Sequence, residues 1–422
     1  MHHNNSSASC GVGFVCNTIG EKSHEIVSMG IEAVKNLTHR GAVGADGKTG
    51  DGAGVLTQLP LKFLQKEMTK LGFSIAGSDD LAVGFFFLFG DVESGIEDIL
   101  RRFNLKPIGW RNVPTNLDAL GKSALLSKPR TRQVLIDTSG IPPSEKEAVL
   151  YLARRAMEKS YDGSASVCSL SSKIIVYKGM LVAPYLDEFY PDLKDKAFES
   201  AFCMFHQRFS TNTSPDWPLA QPFHVLAHNG EINTLQGNRN AMTALEHEIQ
   251  HEIFGDKADF LRPLISQAES DSASLDRIVE LLILSGYSPE HAVMLCIPPA
   301  WEQTDLSPQE KAFFEYQSLL MRPWDGPAAV TFTDGETVGA HLDRNGLRPL
   351  RYILTRDGLL VLGSEIGMVD LGDRPIQEKG RLGPGEIIAV NLRTPGVRFT
   401  PEIVKDLASQ KPYQEWLEKH HV

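Results

Sequence analysis

Cys10 stands behind a polar leader, Met1 to Ser9, and ahead of Gly11-Val12-Gly13-Phe14. As the first residue of a mature chain it would carry a thiol and a free α-amine together, a nucleophile with its own general base. An unperturbed α-amine titrates at about 7.7–8.0 and a thiol at about 8.5, near the pH at which acid–base catalysis works best. While Ser9 is attached, the Cys10 nitrogen is an amide and cannot take a proton, so the chemistry requires loss of residues 1–9. The competing reading is a small cysteine buried in a first strand.

Three further clusters are polar where the surrounding pattern is apolar. His206-Gln207-Arg208-Phe209-Ser210-Thr211-Asn212-Thr213 ends the apolar run from Ala201. Arg208 can clamp a carboxylate through two parallel hydrogen bonds and Thr211 can add a hydroxyl; a surface ion pair is the ordinary use of such an arginine. His228-Asn229-Gly230-Glu231-Ile232-Asn233 follows a second apolar run. The Asn229 amide and the Gly230 N–H can form an oxyanion hole, in which losing one donor costs roughly 2.7–4 kcal/mol of transition-state stabilisation. An Asn-Gly turn would use the same residues. Glu269-Ser270-Asp271-Ser272 precedes an amphipathic helix; Asp271 can pair with an ammonium group or cap that helix.

Composition narrows the classes. The 422 residues carry a net charge of −11 with 42% apolar residues, enough for a sizeable core. No basic tract points to nucleic acid or an anionic membrane. The longest apolar run, Leu81 to Phe89, is too short to span a bilayer. The leader lacks the apolar core of a secretory signal. Cys10, Cys16, Cys168, Cys203 and Cys296 are scattered, with no Cys-x-x-Cys. That argues against a disulfide framework, a zinc site or an iron–sulfur cluster in this chain, and a reducing cytoplasm is the simplest compartment.

The elements that must position these residues follow from periodicity. Residues 10–16 read as a small-residue strand. Residues 24–37 place Val27, Ile31, Val34 and Leu37 on one helical face. A glycine-rich loop runs from Arg40 to Gly54. Ala82 to Phe89 reads as a buried strand, and Glu93 to Phe103, Ser144 to Met157 and Ser274 to Leu284 as helices. Val167 to Leu170 and Lys173 to Tyr177 read as a hairpin around Ser171-Ser172. Ala201 to Phe209 and Phe223 to Ala227 read as core strands. Ser307-Pro308-Gln309-Glu310 is a capping box. Asp334-Gly335 and Asp357-Gly358 each join two strands. Antiparallel hairpins with helices between them predict an α+β sandwich rather than a doubly wound sheet.

With these strings in view, the chain resembles the class II (N-terminal nucleophile) glutamine amidotransferases. Cys-Gly-Val-Gly-Phe from Cys10, the string from His206 and the string from His228 match their core. Thr38-His39-Arg40-Gly41-Ala42, Thr49-Gly50-Asp51-Gly52-Ala53-Gly54, Trp217 to Phe223, Asp343-Arg344-Asn345-Gly346-Leu347-Arg348-Pro349 and Gly383-Pro384-Gly385-Glu386 are similar, more narrowly, to the amidotransferase domain of glutamate synthase. The resemblance implies a four-layer αββα sandwich of the N-terminal nucleophile hydrolase type over residues 10–422, with residues 1–9 removed. It implies that Cys10 attacks the side-chain carbonyl of L-glutamine, that Asn229 and Gly230 hold the oxyanion, and that Arg208 and Asp271 take the α-carboxylate and α-ammonium. Thr211 assists at the carboxylate. Arg40 shapes the pocket or, equally, binds loop carbonyls, while Arg344 and Arg348 are structural or interfacial. It implies no metal or cofactor in this chain; FMN and an iron–sulfur cluster belong to a synthase partner, as a further domain or subunit, that aminates 2-oxoglutarate. The alternatives are another class II amidotransferase or amide hydrolase, or a non-catalytic module that keeps its leader.

Overall fold

The computed structural model describes residues 10–208, 214–246, 248–249 and 254–420. The leader and Thr211 lie outside the described residues. Among these residues the strands are, in chain order, β1 Gly11–Asn17, β2 Ala53–Gln58, β3 Leu81–Leu88, β4 Lys106–Asn112, β5 Arg130–Asp137, β6 Ala165–Ser171, β7 Ile174–Gly179, β8 Phe202–Gln207, β9 Leu226–Gly230, β10 Ala328–Thr333, β11 Thr337–Leu342, β12 Arg351–Thr355, β13 Leu359–Gly363, β14 Ile376–Arg381, β15 Ile387–Asn391 and β16 Val397–Phe399. They form a sheet of order β14-β12-β13-β1-β8-β2-β7, a second of order β16-β15-β11-β10-β9 and a third of order β4-β5-β3-β6. Neighbouring strands run antiparallel, as at β1–β8, β1–β13 and β9–β10.

Alternation along the strands builds the layers. Val12, Phe14 and Cys16 of β1, with Leu56 and Met204, meet Ala227, Ala329 and Ile388 of the second sheet in one core. Val15, Val55 and Phe205 turn the other way, onto the helix His24–Asn36. The outer face of the second sheet, with Leu226, Val330 and Phe332, packs against the helices Asp271–Leu284 and Pro289–Cys296. The result is a four-layer αββα sandwich. Burying a Val, Leu or Phe side chain contributes about 1.5–3 kcal/mol, so the two-faced strands anchor the whole stack.

The helices start where the sequence marks them. Ser23 Oγ accepts from the N–H of Ile26 and opens His24–Asn36. Val27, Ile31, Val34 and Leu37 are buried as their spacing requires. The Ser307–Glu310 capping box is formed and starts Pro308–Leu320; such a cap contributes about 1 kcal/mol.

Two expectations change. β6 and β7 are not a hairpin, since β6 pairs with β3 and β7 with β2, in different sheets. The Glu147 carboxylate accepts from Ser171 Oγ at 2.8 Å, Ser172 N at 2.8 Å and Ser172 Oγ at 2.6 Å. The two serines thus make a corner between sheets. The strand expected at Phe223 begins at Leu226 instead. The buried carboxylate of Asp276 accepts the N–H groups of His224 at 3.1 Å and Val225 at 2.9 Å, which removes them from any ladder. The ladder also runs further than expected, through His228, Asn229 and Gly230.

Candidate active site

The polar clusters converge at one end of the central strands. Gly11 pairs with Gln207, so one further step sets Cys10 level with Arg208. The main-chain N–H of Arg208 donates to Gly52 O at 2.9 Å, which continues this level into β2. Alternation carries Cys10 and Arg208 onto the side of Val12 and Met204, facing the second sheet. In β9 the same rule points Asn229 the way of Ala227, toward the first sheet. β1 and β8 both lie against β9, and His206 Nε2 donates to the carbonyl of His228 at 3.1 Å. Cys10, Arg208 and Asn229 thus look into the same end of the space between the sheets.

Asn229 is 1% exposed, and its Nδ2 has no hydrogen-bond partner among the described residues. A buried donor left unsatisfied costs roughly 1–3 kcal/mol, and such groups are rare in folded proteins. By strand alternation the donor faces the space between the sheets, at the end where Cys10 and Arg208 stand. Gly230 is paired with Ala328 in the ladder, so the Asn-Gly pair is strand and not turn. Its φ is +154°, and a Cβ there would stand 1.7 Å from Pro327 O. Only glycine lets the chain turn at this point while staying tight on β10.

Burial holds the Arg208 guanidinium below its ordinary pKa, opposed by the acidic side chains of Asp51, Asp271 and Asp216 and by Cys10. The cation is therefore within electrostatic reach of both the thiol and the carboxylate of Asp271. Arg208 Nη1 also donates to Asp51 O at 3.4 Å. Asp271 is the first residue of its helix, but Ser270 is the cap, accepting from Ala273 N at 3.2 Å. Asp271 Oδ2 accepts from Ile232 N at 2.9 Å and Oδ1 from Ser272 N at 2.7 Å. Its carboxylate thereby ties the helix to the segment that leaves β9, and it retains lone pairs for a cation.

Arg40 ends a short turn, Thr38–Arg40, and its Nε donates to Glu365 Oε1; His39 Nε2 reaches the same oxygen at 2.7 Å. Glu365 follows β13, whose Gly363 pairs with Gly13. A Cβ on Gly11 would stand 2.8 Å from Leu37 Cβ. Arg40 thus braces the helical-layer side of the strand end that carries Cys10. Arg344 pairs with Asp325 at the surface.

Several supporting residues carried no signal of their own. Gln221 Oε1 accepts from His228 N at 2.8 Å, and Gln221 Nε2 donates to His228 O at 3.4 Å. Ser272 Oγ contacts Asp271 Oδ1 at 3.3 Å and His228 Nδ1 at 2.8 Å. Burial pushes His206 down to about 3 and His228 below its ordinary value, so both are neutral near pH 7. As polar residues inside apolar runs they mark no role by themselves, because their partners are set by the sheet order. His224, Asp276 and Glu280 lie close enough to hold a metal ion. Asp276, however, already accepts three main-chain N–H groups and His224 Nδ1, the bonding of a structural anchor.

A family model described as glutamine amidotransferases class-II matches residues 10–416, and the chain belongs to that family of enzymes. It is 43% identical over 422 residues to the glutamate synthase (NADPH) large chain of Azospirillum brasilense, covering 97% of this chain and 28% of that one. It is 44% identical over 421 residues to ferredoxin-dependent glutamate synthase 2 of Synechocystis sp., covering 97% and 27%. The chain thus spans a little over a quarter of the length of these relatives. A solved structure titled as the allosteric regulatory enzyme of purine biosynthesis aligns with a TM-score of 0.42 at 13% identity, over 93% of this chain and 48% of that one. At that score it adds nothing to the fold described above. Among the described residues, no helix is long and apolar enough to cross a membrane.

Proposed function

We propose that this chain is the glutaminase component of a glutamate synthase, hydrolysing L-glutamine to L-glutamate and ammonia through a γ-glutamyl thioester on Cys10. The convergence of Cys10, Arg208 and the unpartnered Asn229 amide at one end of the space between the sheets carries the reading.

Loss of Met1 to Ser9 frees the Cys10 amine. The thiol gives its proton to that amine as sulfur attacks the γ-carbonyl carbon. The carbonyl electrons move to oxygen, and the oxyanion accepts hydrogen bonds from Asn229 Nδ2 and Gly230 N–H. When the intermediate collapses, the α-ammonium returns its proton to the departing nitrogen and ammonia leaves. Water then adds to the thioester by the same route and releases glutamate. Arg208 clamps the α-carboxylate of the substrate, assisted by Thr211, and Asp271 pairs with the α-ammonium of the substrate. Arg40 holds the strand end in place. Ammonia passes to a synthase partner, a domain or subunit with an FMN barrel and an iron–sulfur cluster, which aminates 2-oxoglutarate. The reaction needs neither a nucleic acid nor a membrane, and no two of the five cysteines form a disulfide, which supports a cytoplasmic setting.

Ammonia release from glutamine, compared between the wild-type chain and Cys10→Ala, tests the proposal. Hydrolysis is expected to vanish in the variant while its thermal unfolding stays within a few degrees, because the volume change at this half-buried position is small. A Cys10→Ala chain that forms glutamate at the wild-type rate overturns it.

A further inference from the structure

One buried cation is not used by the reaction just described. Lys178 lies on β7 and is 3% exposed. The registers Val12 with His206, His206 with Gly54 and Gly54 with Lys178 put these four residues in one row across the first sheet. The row lies directly beneath the level of Cys10 and Arg208. Lys178 shares the alternation of Ile174 and Val176 and so faces the space between the sheets.

Among the described residues, no carboxylate lies within salt-bridge distance of its ammonium. Nζ donates to the main-chain carbonyl of Pro218 at 3.0 Å and stands 5.1 Å from the centre of the Phe223 ring. Burial lowers its pKa; Cys168 and Asp276 oppose that shift and Arg208 adds to it. An ammonium buried with one carbonyl and one ring face is costly, and an apolar side chain would fill the volume without that cost. Gly54 keeps the space open. A Cβ there would stand 2.6 Å from Lys178 Cβ and 2.6 Å from Gln221 O.

What the ammonium holds is the 214–222 segment. Trp217 of this segment is fully buried and donates from Nε1 to Ala124 O at 3.3 Å. Gln221 of the same segment bonds both main-chain groups of His228, the residue before Asn229. We propose that Lys178 is a positioning residue for the oxyanion strand: it fixes the 214–222 segment through Pro218, and Gln221 passes that restraint to the backbone carrying Asn229. The proposal rests on the reading of Asn229 as an oxyanion donor.

The test is a double-mutant cycle on the full chain, followed by ammonia release from glutamine. Lys178→Met keeps the stem and removes the ammonium. It is expected to lower kcat about tenfold with KM changed less than about twofold, the signature of an interaction made mainly in the transition state. Alkylation of Cys10 by iodoacetamide, which uses no oxyanion donor, is expected to stay within about twofold of wild type. In an Asn229→Ala background the same substitution is expected to cost less than about twofold more, because the restraint no longer has a donor to aim. An unchanged kcat in Lys178→Met, or the full loss repeated in the Asn229→Ala background, overturns the proposal. If Lys178→Met loses its cooperative unfolding transition, Gln221→Met cuts the link at its other end and is held to the same two outcomes. A wild-type chain with no glutaminase activity overturns the reading beneath the proposal and the proposal with it. A normal wild-type rate with multiplicative losses overturns the proposal alone.

Discussion

Asn229 Nδ2 is the donor that the proposed reaction assigns to a charge that exists only during reaction. It is buried, unpartnered among the described residues and turned toward the end of the sheet where Cys10 stands. Its desolvation has been accepted during folding, so under the proposed mechanism no solvent has to be displaced from it when the oxyanion forms. Asn229→Ala is expected to lower kcat for glutamine hydrolysis by about 10²–10³ with little change in KM. Steady-state kinetics would decide between this and a ground-state role, in which KM would rise and kcat would hold. Asp271 does two jobs on one carboxylate, taking the N–H groups of Ile232 and Ser272 while facing the field of Arg208. Neither residue looked unusual in its own string, where a turn and a helix cap were adequate explanations.

At the scale of elements, the site depends on β9 staying in register with β10. Gly230 has its positive φ and a carbonyl where a side chain would be. Gly230→Ala is therefore expected to destabilise the fold by about 1–3 kcal/mol, read as a lower urea midpoint, and to reduce activity beyond that loss. An Ala variant with wild-type stability would mean that β9 can give way without cost. The helices His24–Asn36 and Pro308–Leu320 were legible because cap, periodicity and length agree. So were the strands around Asp334-Gly335 and Asp357-Gly358, because turn chemistry is local. The strand carrying Asn229 was misplaced because its start is set by Asp276, some fifty residues on, and nothing near His224 signals that its N–H is taken. The Ser171-Ser172 corner failed for the same reason: two flanking apolar runs look like a hairpin until Glu147 is known to hold the serines. Glu365 and Gln221 were invisible as site residues because their partners follow from sheet order.

Across the whole molecule, histidine burial links the site to stability. His206 lies between the sheets with its pKa pushed down to about 3 by burial, and His228 and His341 are depressed in the same direction. In the unfolded chain each would titrate at about 6.5. A depressed native pKa means that its contribution to stability is complete above about pH 6.5 and is lost progressively as pH falls toward the native value. For His206 alone the loss at about pH 5 is on the order of 2 kcal/mol. Urea unfolding at about pH 7.5 and about pH 5 should show this loss, and His206→Gln should flatten the dependence by a similar amount. An equal slope in the variant would place the acid sensitivity elsewhere. The fold class and the family were legible from sequence because several strings agree with one family. The third sheet was not, since β3 reads as a buried strand whichever sheet receives it.

The central claim is that Cys10 acts as an N-terminal nucleophile, and the intact mass of chain quenched in acid during glutamine turnover tests it most directly. The account predicts a mass for a chain that begins at Cys10, with a second species heavier by one γ-glutamyl group on that residue. A fully active chain that still carries Ser9 in peptide linkage to Cys10 would contradict it.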